Sequence, residues 1–327
     1  MVNIDDLVRF VISTRFIIIT FLCTLLTCRS LKLSLVPLLM HGLLQTLYKA
    51  NLAYKCGGQF KWKSLLEFKS CKVVITGGSS GLGRSIVKNL LDTFPNVTIL
   101  NVDIKTSPEA NDRLIDYICD LRNSQALNAT LKEIKVNHGS EIRLLVNNAG
   151  VRSRYEGFKE LKCQDVNDVF AVNSVAPMRF IQELTPHESS DEQCFVVNVT
   201  SSLGILSAAK AAAYAASKAA LICFHKSYTF ELESKGVSNI RTLLVVPGQL
   251  DTDMFSGFEP PRQFFAPVLD REKVAKKIVD YVELGMRGDL SAPLYAKFAY
   301  VLMAMPYSVQ TIVRKMSKMD DCLPNDD

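Results

Sequence analysis

The stretch that most restricts how this chain can fold is residues 73–83, V-V-I-T-G-G-S-S-G-L-G. A β-branched run ends at Thr76, and glycines follow at Gly77, Gly81 and Gly83. From Leu82 onward Ile86, Val87, Leu90 and Leu91 recur at helical spacing. Strand, glycine turn and helix N-terminus in that order form an anion site. Backbone N–H groups and the positive end of the helix dipole face a pyrophosphate, and residues without side chains let it approach. Taken alone, the turn also fits a plain glycine-rich loop, and the rest of the chain has to decide.

Downstream, short β-branched runs alternate with helical patterns. Strands are expected at 72–76, 97–102, 114–118, 142–147, 194–200 and 240–246, with helices at 124–138, 166–184, 214–235 and 271–284. Nearly continuous apolar strands alternating with helices predict an α/β fold, a doubly wound parallel sheet covered on both faces. No repeat or low-complexity linker divides this region, so 70–287 reads as one domain after a linker at 51–69.

The two ends differ from the middle. Mean hydropathy is positive, +0.13, and the excess lies mostly there. Residues 16–26 form a charge-free apolar run, and 33–48 form a second one broken by Pro37. Extended back to Leu7, the first run reaches the ~20 residues of a bilayer span but includes Arg9 and Arg15, which could snorkel. A signal peptide lacks its small-residue cleavage site here, and a buried helix pair is the soluble alternative. The favoured reading of 1–50 is membrane-anchor helices, either a span with an interfacial helix or a monotopic hairpin. The lysines after it (Lys49, Lys55, Lys61, Lys63, Lys69, Lys72) place the main domain on the cytosolic side. Within 288–327, residues 292–316 are apolar again and read as a membrane-facing or substrate-covering helix, or else a core helix. The acidic residues 319–327 are expected to fray. A net charge of +5 without a basic run is too diffuse for nucleic acid. Nine cysteines without C-x-x-C pairs or metal-like spacing imply a reducing compartment and no metal site.

Several strand ends carry chemistry. Asp103, 26 residues after Gly77, closes the second strand near the offset at which a carboxylate meets the adenosine ribose. Such a carboxylate accepts both ribose hydroxyls and repels a 2′-phosphate, favouring NAD over NADP. Its plainer role is to cap a turn, and neighbouring Lys105 could accommodate a phosphate. Asp120-Leu121 and Asn147-Asn148-Ala149-Gly150 follow the third and fourth strands. Tyr214 and Lys218 stand four apart and share a helix face, where the lysine's charge should lower the phenol's pKa. Ser201 lies 13 residues before Tyr214, at a strand end, and could hold a substrate oxygen beside the phenol.

In that order Thr76-Gly77, Gly81, Gly83, Asn147 to Gly150, Asn173, Ser201, Tyr214, Lys218 and Pro247-Gly248 resemble the short-chain dehydrogenase/reductase family over about residues 70–285. The resemblance implies a Rossmann fold and a bound NAD or NADP. Tyr214 would be the general acid/base. Lys218 would lower its pKa and bind the nicotinamide ribose. Ser201 would bind the reacting oxygen, with Ser202 the alternative, and Asn173 would hold a proton-relaying water. Thr76, Gly77, Ser80, Gly81, Leu82, Gly83, Asp103, Asp120, Leu121, Asn148, Pro247, Gly248 and Thr252 would contact the cofactor. An aromatic, proline-rich segment at 254–267 points to a greasy substrate.

The apolar ends and the T-D-M-F-S-G-F segment resemble the membrane-anchored retinol and 17β-hydroxysteroid dehydrogenases, which implies a lipophilic alcohol or ketone substrate at endoplasmic reticulum or lipid droplets. An NADPH-dependent reductase of a lipid-synthesis ketone and a non-catalytic nucleotide-binding scaffold are the alternatives. Ala-rich 208–216 would allow close packing in a homodimer.

Overall fold

The computed structural model describes residues 3–11, 13–28, 31–57, 61–255, 263–320 and 323. Three helices come first: α1 (Ile4–Val11), α2 (Thr14–Cys28) and α3 (Leu31–Cys56). The alternating region comes next as β1 (Cys71–Thr76), α4 (Gly81–Thr93), β2 (Val97–Asp103), β3 (Leu114–Ile118), α5 (Ser124–His138), β4 (Ile142–Asn147), α6 (Cys163–Phe170) and α7 (Ala176–Leu184). It continues through β5 (Cys194–Val199), α8 (Leu203–Leu206), α9 (Ala212–Ser234), β6 (Ile240–Pro247), α10 (Arg271–Glu283) and β7 (Gly288–Ala292). Helices α11 (Leu294–Met303) and α12 (Tyr307–Ser317) end the described chain.

The strands form one seven-stranded sheet in the order β3-β2-β1-β4-β5-β6-β7, and every pairing is parallel. Successive strand residues point to opposite faces. Val73, Ile75, Ile99 and Val146 therefore pack with α4 and α10 on one side. Val74, Leu100, Leu145 and Val196 pack with α5 and α7 on the other. Burying an aliphatic side chain is worth roughly 1.5–3 kcal/mol, so this double coverage holds the sheet. The strand order reverses between β1 and β4, which opens a crevice at their carboxyl ends.

Two expectations change. The apolar run from Leu7 is not one helix. Ser13 turns the chain and caps α2, its Oγ accepting from the Phe16 N–H at 3.3 Å. Among the described residues no helix is long and apolar enough to cross a membrane, so a membrane-spanning anchor has no helix to carry it. The sheet also holds a seventh strand, β7, where only an apolar helical tail was expected. The side chains of Arg9 and Arg15, and residues 256–262 of the aromatic segment, lie outside the described residues.

Candidate active site

β1 ends at Thr76, whose Oγ1 accepts from the N–H groups of Asn148 (3.1 Å) and Ala149 (3.0 Å). Asn148 returns the contact, its Nδ2 donating to the Thr76 and Gly77 carbonyls at 3.1 Å each. These bonds staple the ends of β1 and β4. Gly77 has φ +70°, and a Cβ there would lie 2.9 Å from Ala149 Cα. A Cβ on Gly83 would collide with the Gly77 carbonyl. Ser80 is the N-cap of α4 but its side chain makes no capping bond, and Ser80, Gly81 and Leu82 at this helix start line the cleft. Asn101 orders the turn from beneath, accepting from Gly78 N–H (2.9 Å) and donating to Ser79 Oγ (3.0 Å). Its only sequence signal is one amide inside an otherwise apolar strand.

A cleft of about 390 Å³ runs along the carboxyl edge of the sheet. Gly77, Ser80, Gly81, Leu82, Asp103, Asp120, Leu121, Asn148, Ser201, Tyr214, Lys218, Pro247, Gly248 and Thr252 all line it. Thr76, Gly83 and Asn173 stand behind the wall as supports rather than lining. Asp103 is held in place by two amides, Ser79 N–H (3.0 Å) and Lys105 N–H (3.3 Å). Arg122, which belongs to no motif in the sequence, also lines the cleft and grips Asp120 through Nε and Nη2 at 3.0 and 2.7 Å. That grip holds the Asp120 carboxyl below its ordinary range. The glycine approaches, the uncapped helix end and a carboxylate at the far end fit an extended dinucleotide.

At the other end Tyr214 is buried, and burial pushes its phenol up to about 12, against the lowering pull of a hydrogen bond with Ser201. The buried Tyr155 adds to the rise; its only sequence signal was an aromatic in a polar loop. Burial pulls Lys218 down to about 8, and its Nζ donates to the Val199 carbonyl at 3.1 Å. Burial outweighs any lowering of the phenol by the lysine. Nζ is 5.9 Å from the phenol ring centre, and loss of water dominates both groups. Asn173 lies on a π-helical turn, Ala171–Val175, between α6 and α7. It accepts from Val151 N–H and donates to Val151 O, both at 2.8 Å, and also donates to Ser217 Oγ at 2.9 Å. A Cβ on Gly150 would stand 3.2 Å from Lys218 Nζ and 3.5 Å from Asn173 Oδ1, so these two groups flank the same small space.

Ser201 and Ser202 part company. Ser201 faces Tyr214, whereas Ser202 Oγ lies 3.3 Å from Tyr295 Oη on α11. Ser201 and Gly248 are also shared with a second, mainly apolar chamber of about 470 Å³. Leu203, Leu206 and Phe265 line it, together with Leu302, Val313 and Met316 of the last two helices. The C-terminal helices are thus walls of the chamber as well as surface.

Comparison with known proteins agrees with this geometry. The family model for short chain dehydrogenase matches residues 72–263. "Uncharacterized oxidoreductase TDA5" of Saccharomyces cerevisiae is 54% identical over 297 residues, 91% of this chain and 90% of that protein. Epidermal retinol dehydrogenase 2 of Mus musculus is 27% identical over 220 residues, 64% of this chain and 70% of its own. A solved short chain dehydrogenase from Burkholderia cenocepacia, in complex with NADP, shares the fold. Its TM-score is 0.60 at 21% identity, covering 78% of this chain and 98% of that one.

Proposed function

This chain belongs to the short-chain dehydrogenase family, and from that premise we propose that it interconverts a lipophilic alcohol and its carbonyl compound with NAD(P). The observation that carries this reading is the position of Ser201, hydrogen-bonded to Tyr214 of the polar cleft, where that cleft meets the apolar chamber. Ser201 Oγ holds the reacting oxygen. Tyr214 moves the proton on that oxygen, giving it in reduction and taking it in oxidation. Because burial keeps the phenol protonated at neutral pH, Tyr214 stands ready as the acid and needs an exit for its proton to serve as the base. Lys218 Nζ and Asn173 Oδ1 both flank the space over Gly150, where a relay water would serve that exit route. A nicotinamide dinucleotide held by the glycine turn, Asp103 and Lys218 supplies the hydride chemistry at the carbon.

Asp103 favours NAD: each carboxylate oxygen keeps acceptor capacity beyond the single amide it takes. Arg122, the cleft's guanidinium, is committed to Asp120. The rival, an NADPH-dependent ketone reductase, rests on Lys105, and a titration that finds NADPH bound far more tightly than NADH would select it. The exposed apolar faces of α2, α3, α11 and α12 support contact with a lipid surface, for which the cytosolic face of endoplasmic reticulum or lipid droplets is the proposed place.

The test is turnover by detergent-purified protein of retinoid, steroid and long-chain alcohols and ketones, with each of NAD⁺, NADP⁺, NADH and NADPH. Tyr214→Phe should lose about 10²-fold or more of the rate while binding the same dinucleotide. Full activity in that variant rejects the mechanism.

A further inference from the structure

The far wall of the apolar chamber is not a continuous element. It is closed by two short segments that meet through polar contacts and a small buried apolar cluster. One is the connection between α8 and α9, which joins Ser201 to Tyr214 and holds two non-glycine residues in the left-handed region, Ser207 (φ 56°) and Lys210 (φ 60°). The other is the end of α12 together with the chain just beyond it. Lys318, at φ 55°, reverses the chain after α12 and returns Asp320 to Arg314 on the preceding turn. Arg314 Nε donates to Asp320 Oδ2 at 3.1 Å, and Nη2 pairs with Oδ1.

This ion pair reaches across the gap with both partners. Arg314 Nη1 donates to the Leu206 carbonyl at 2.8 Å. Asp320 Oδ1 accepts from Ala209 N–H at 3.0 Å. Lys210 Nζ adds a bond to the Leu323 carbonyl at 3.4 Å, and the Leu323 side chain is buried against Tyr155, Ala208 and Ala211. Asp320 and Leu323 therefore do not fray; these two residues dock. Arg314 and Leu206 line the chamber themselves, as do Ala208 and Leu323.

We propose that Arg314 and Asp320 are specificity-determining positioning residues, a latch that closes the chamber against the 206–211 connection and so limits the bulk of the alcohol or ketone admitted. This rests on the reading of the chamber as the substrate site. About a third of each side chain is exposed, 33% and 37%. Water weakens such a pair, so the latch can yield to a large substrate at a cost rather than act as a fixed wall. Neither residue touches the cleft or the reacting groups. Its loss should appear in the size of substrate accepted, not in the proton chemistry.

The experiment compares wild type, Asp320→Ala, Asp320→Asn and Arg314→Gln on 2-hexanol, 2-octanol, 2-decanol, 2-dodecanol and cyclododecanol, with kcat and KM resolved and NADH affinity measured beside them. Asp320→Ala should raise kcat/KM for the largest alcohols about tenfold, mostly through KM, leaving 2-hexanol and NADH affinity within about twofold. Asp320→Asn keeps an acceptor for Ala209 N–H and should fall between. An equal change for small and large alcohols, or none, overturns the latch. Lost NADH affinity would mark a misfolded variant, and the comparison then rests on Asp320→Asn and Arg314→Gln. If wild type turns over no alcohol or ketone, the oxidoreductase reading fails instead. The latch is then judged by hydrogen exchange at Ala209, which should be faster in Asp320→Ala and largely restored in Asp320→Asn; unchanged exchange overturns it.

Discussion

Burial pulls the two ionisable groups of the site in opposite directions, and the consequence can be read in stability as well as rate. Lys218 titrates near 8 in the folded protein against 10.5 for an ordinary lysine. Between those values the unfolded chain carries a proton that the folded one lacks, so stability rises with pH across that window. Below pH 8 the full cost of the buried ammonium is present, with one carbonyl, Val199, offsetting part of it. From pH 7 to 9.5 wild type should gain about 2 kcal/mol in urea unfolding relative to Lys218→Met, in which the group is gone. Parallel pH profiles for the two proteins would show that Lys218 is not buried as described. The types and spacing of Tyr214, Lys218 and Ser201 were legible because helical and strand periodicity place them. The depth of their burial was not, because it depends on Tyr155, Gly150, Asn173 and Val199, which come from other elements of the fold.

At the scale of elements, α9 has to hold Tyr214 and Lys218 against the sheet, and one buried contact pins it. Asn147 Nδ2 donates to Asn198 Oδ1 at 2.8 Å, and Asn198 Nδ2 lies 2.9 Å from His225 Nδ1. With the Asn198 oxygen already engaged, its amide donates and His225 accepts, which requires the neutral ring. Burial, aided by the charge of Lys226, lowers His225 to about 4 from 6.5. Here too the unfolded chain holds the extra proton, so the contribution is complete above pH 6.5 and declines as pH falls toward 4. Wild type should lose about 1.6 kcal/mol more than His225→Gln between pH 6.5 and 5, measured by urea unfolding. Equal losses would detach His225 from this role. Six strands were legible from β-branched apolar runs. β7 was not, because Gly-Asp-Leu-Ser-Ala has no β-branched residue and a single large apolar one, and it exists by pairing with β6 at the sheet edge. The π-helical turn at Asn173 was equally hidden, since one extra residue in a turn leaves the apolar rhythm of 166–184 almost unchanged.

The whole molecule presents its greasiest surface away from the sheet. Leu26 is 77% exposed on α2, Leu39 70% on α3 and Tyr307 83% on α12, each among further exposed aliphatic and aromatic neighbours. Soluble monomers rarely expose contiguous apolar area beyond a few hundred Å², and larger patches mark an interaction surface. The first and last helices are also tied together. Leu294 N–H at the start of α11 donates to Asp5 Oδ1 of α1 at 2.8 Å, and the Ile4 N–H donates to the Phe264 carbonyl at 3.0 Å, next to Phe265 of the chamber wall. The hydrophobic character of these ends was plain in the sequence. Their arrangement was not, since Ser13 breaks the run that had the length of a span. With no helix among the described residues able to cross a bilayer, contact with lipid would be by faces lying in the interface. Leu39 and Leu43 are four apart on α3, and both are more than half exposed, so they share the outward face. Burying each in lipid is worth roughly 1.5–3 kcal/mol, so Leu39→Asp with Leu43→Asp should weaken binding about a hundredfold or more. Flotation with vesicles of phosphatidylcholine and phosphatidylserine reads this directly: wild type should rise with the lipid and the double variant should stay below. The variant should keep its NADH affinity, because α3 reaches the sheet only through its end, where Arg241 holds the carbonyls of Cys56 and Gly57. Flotation that is equal for the two proteins, or absent in wild type, would remove the lipid surface from the function proposed and leave the apolar faces to a protein partner.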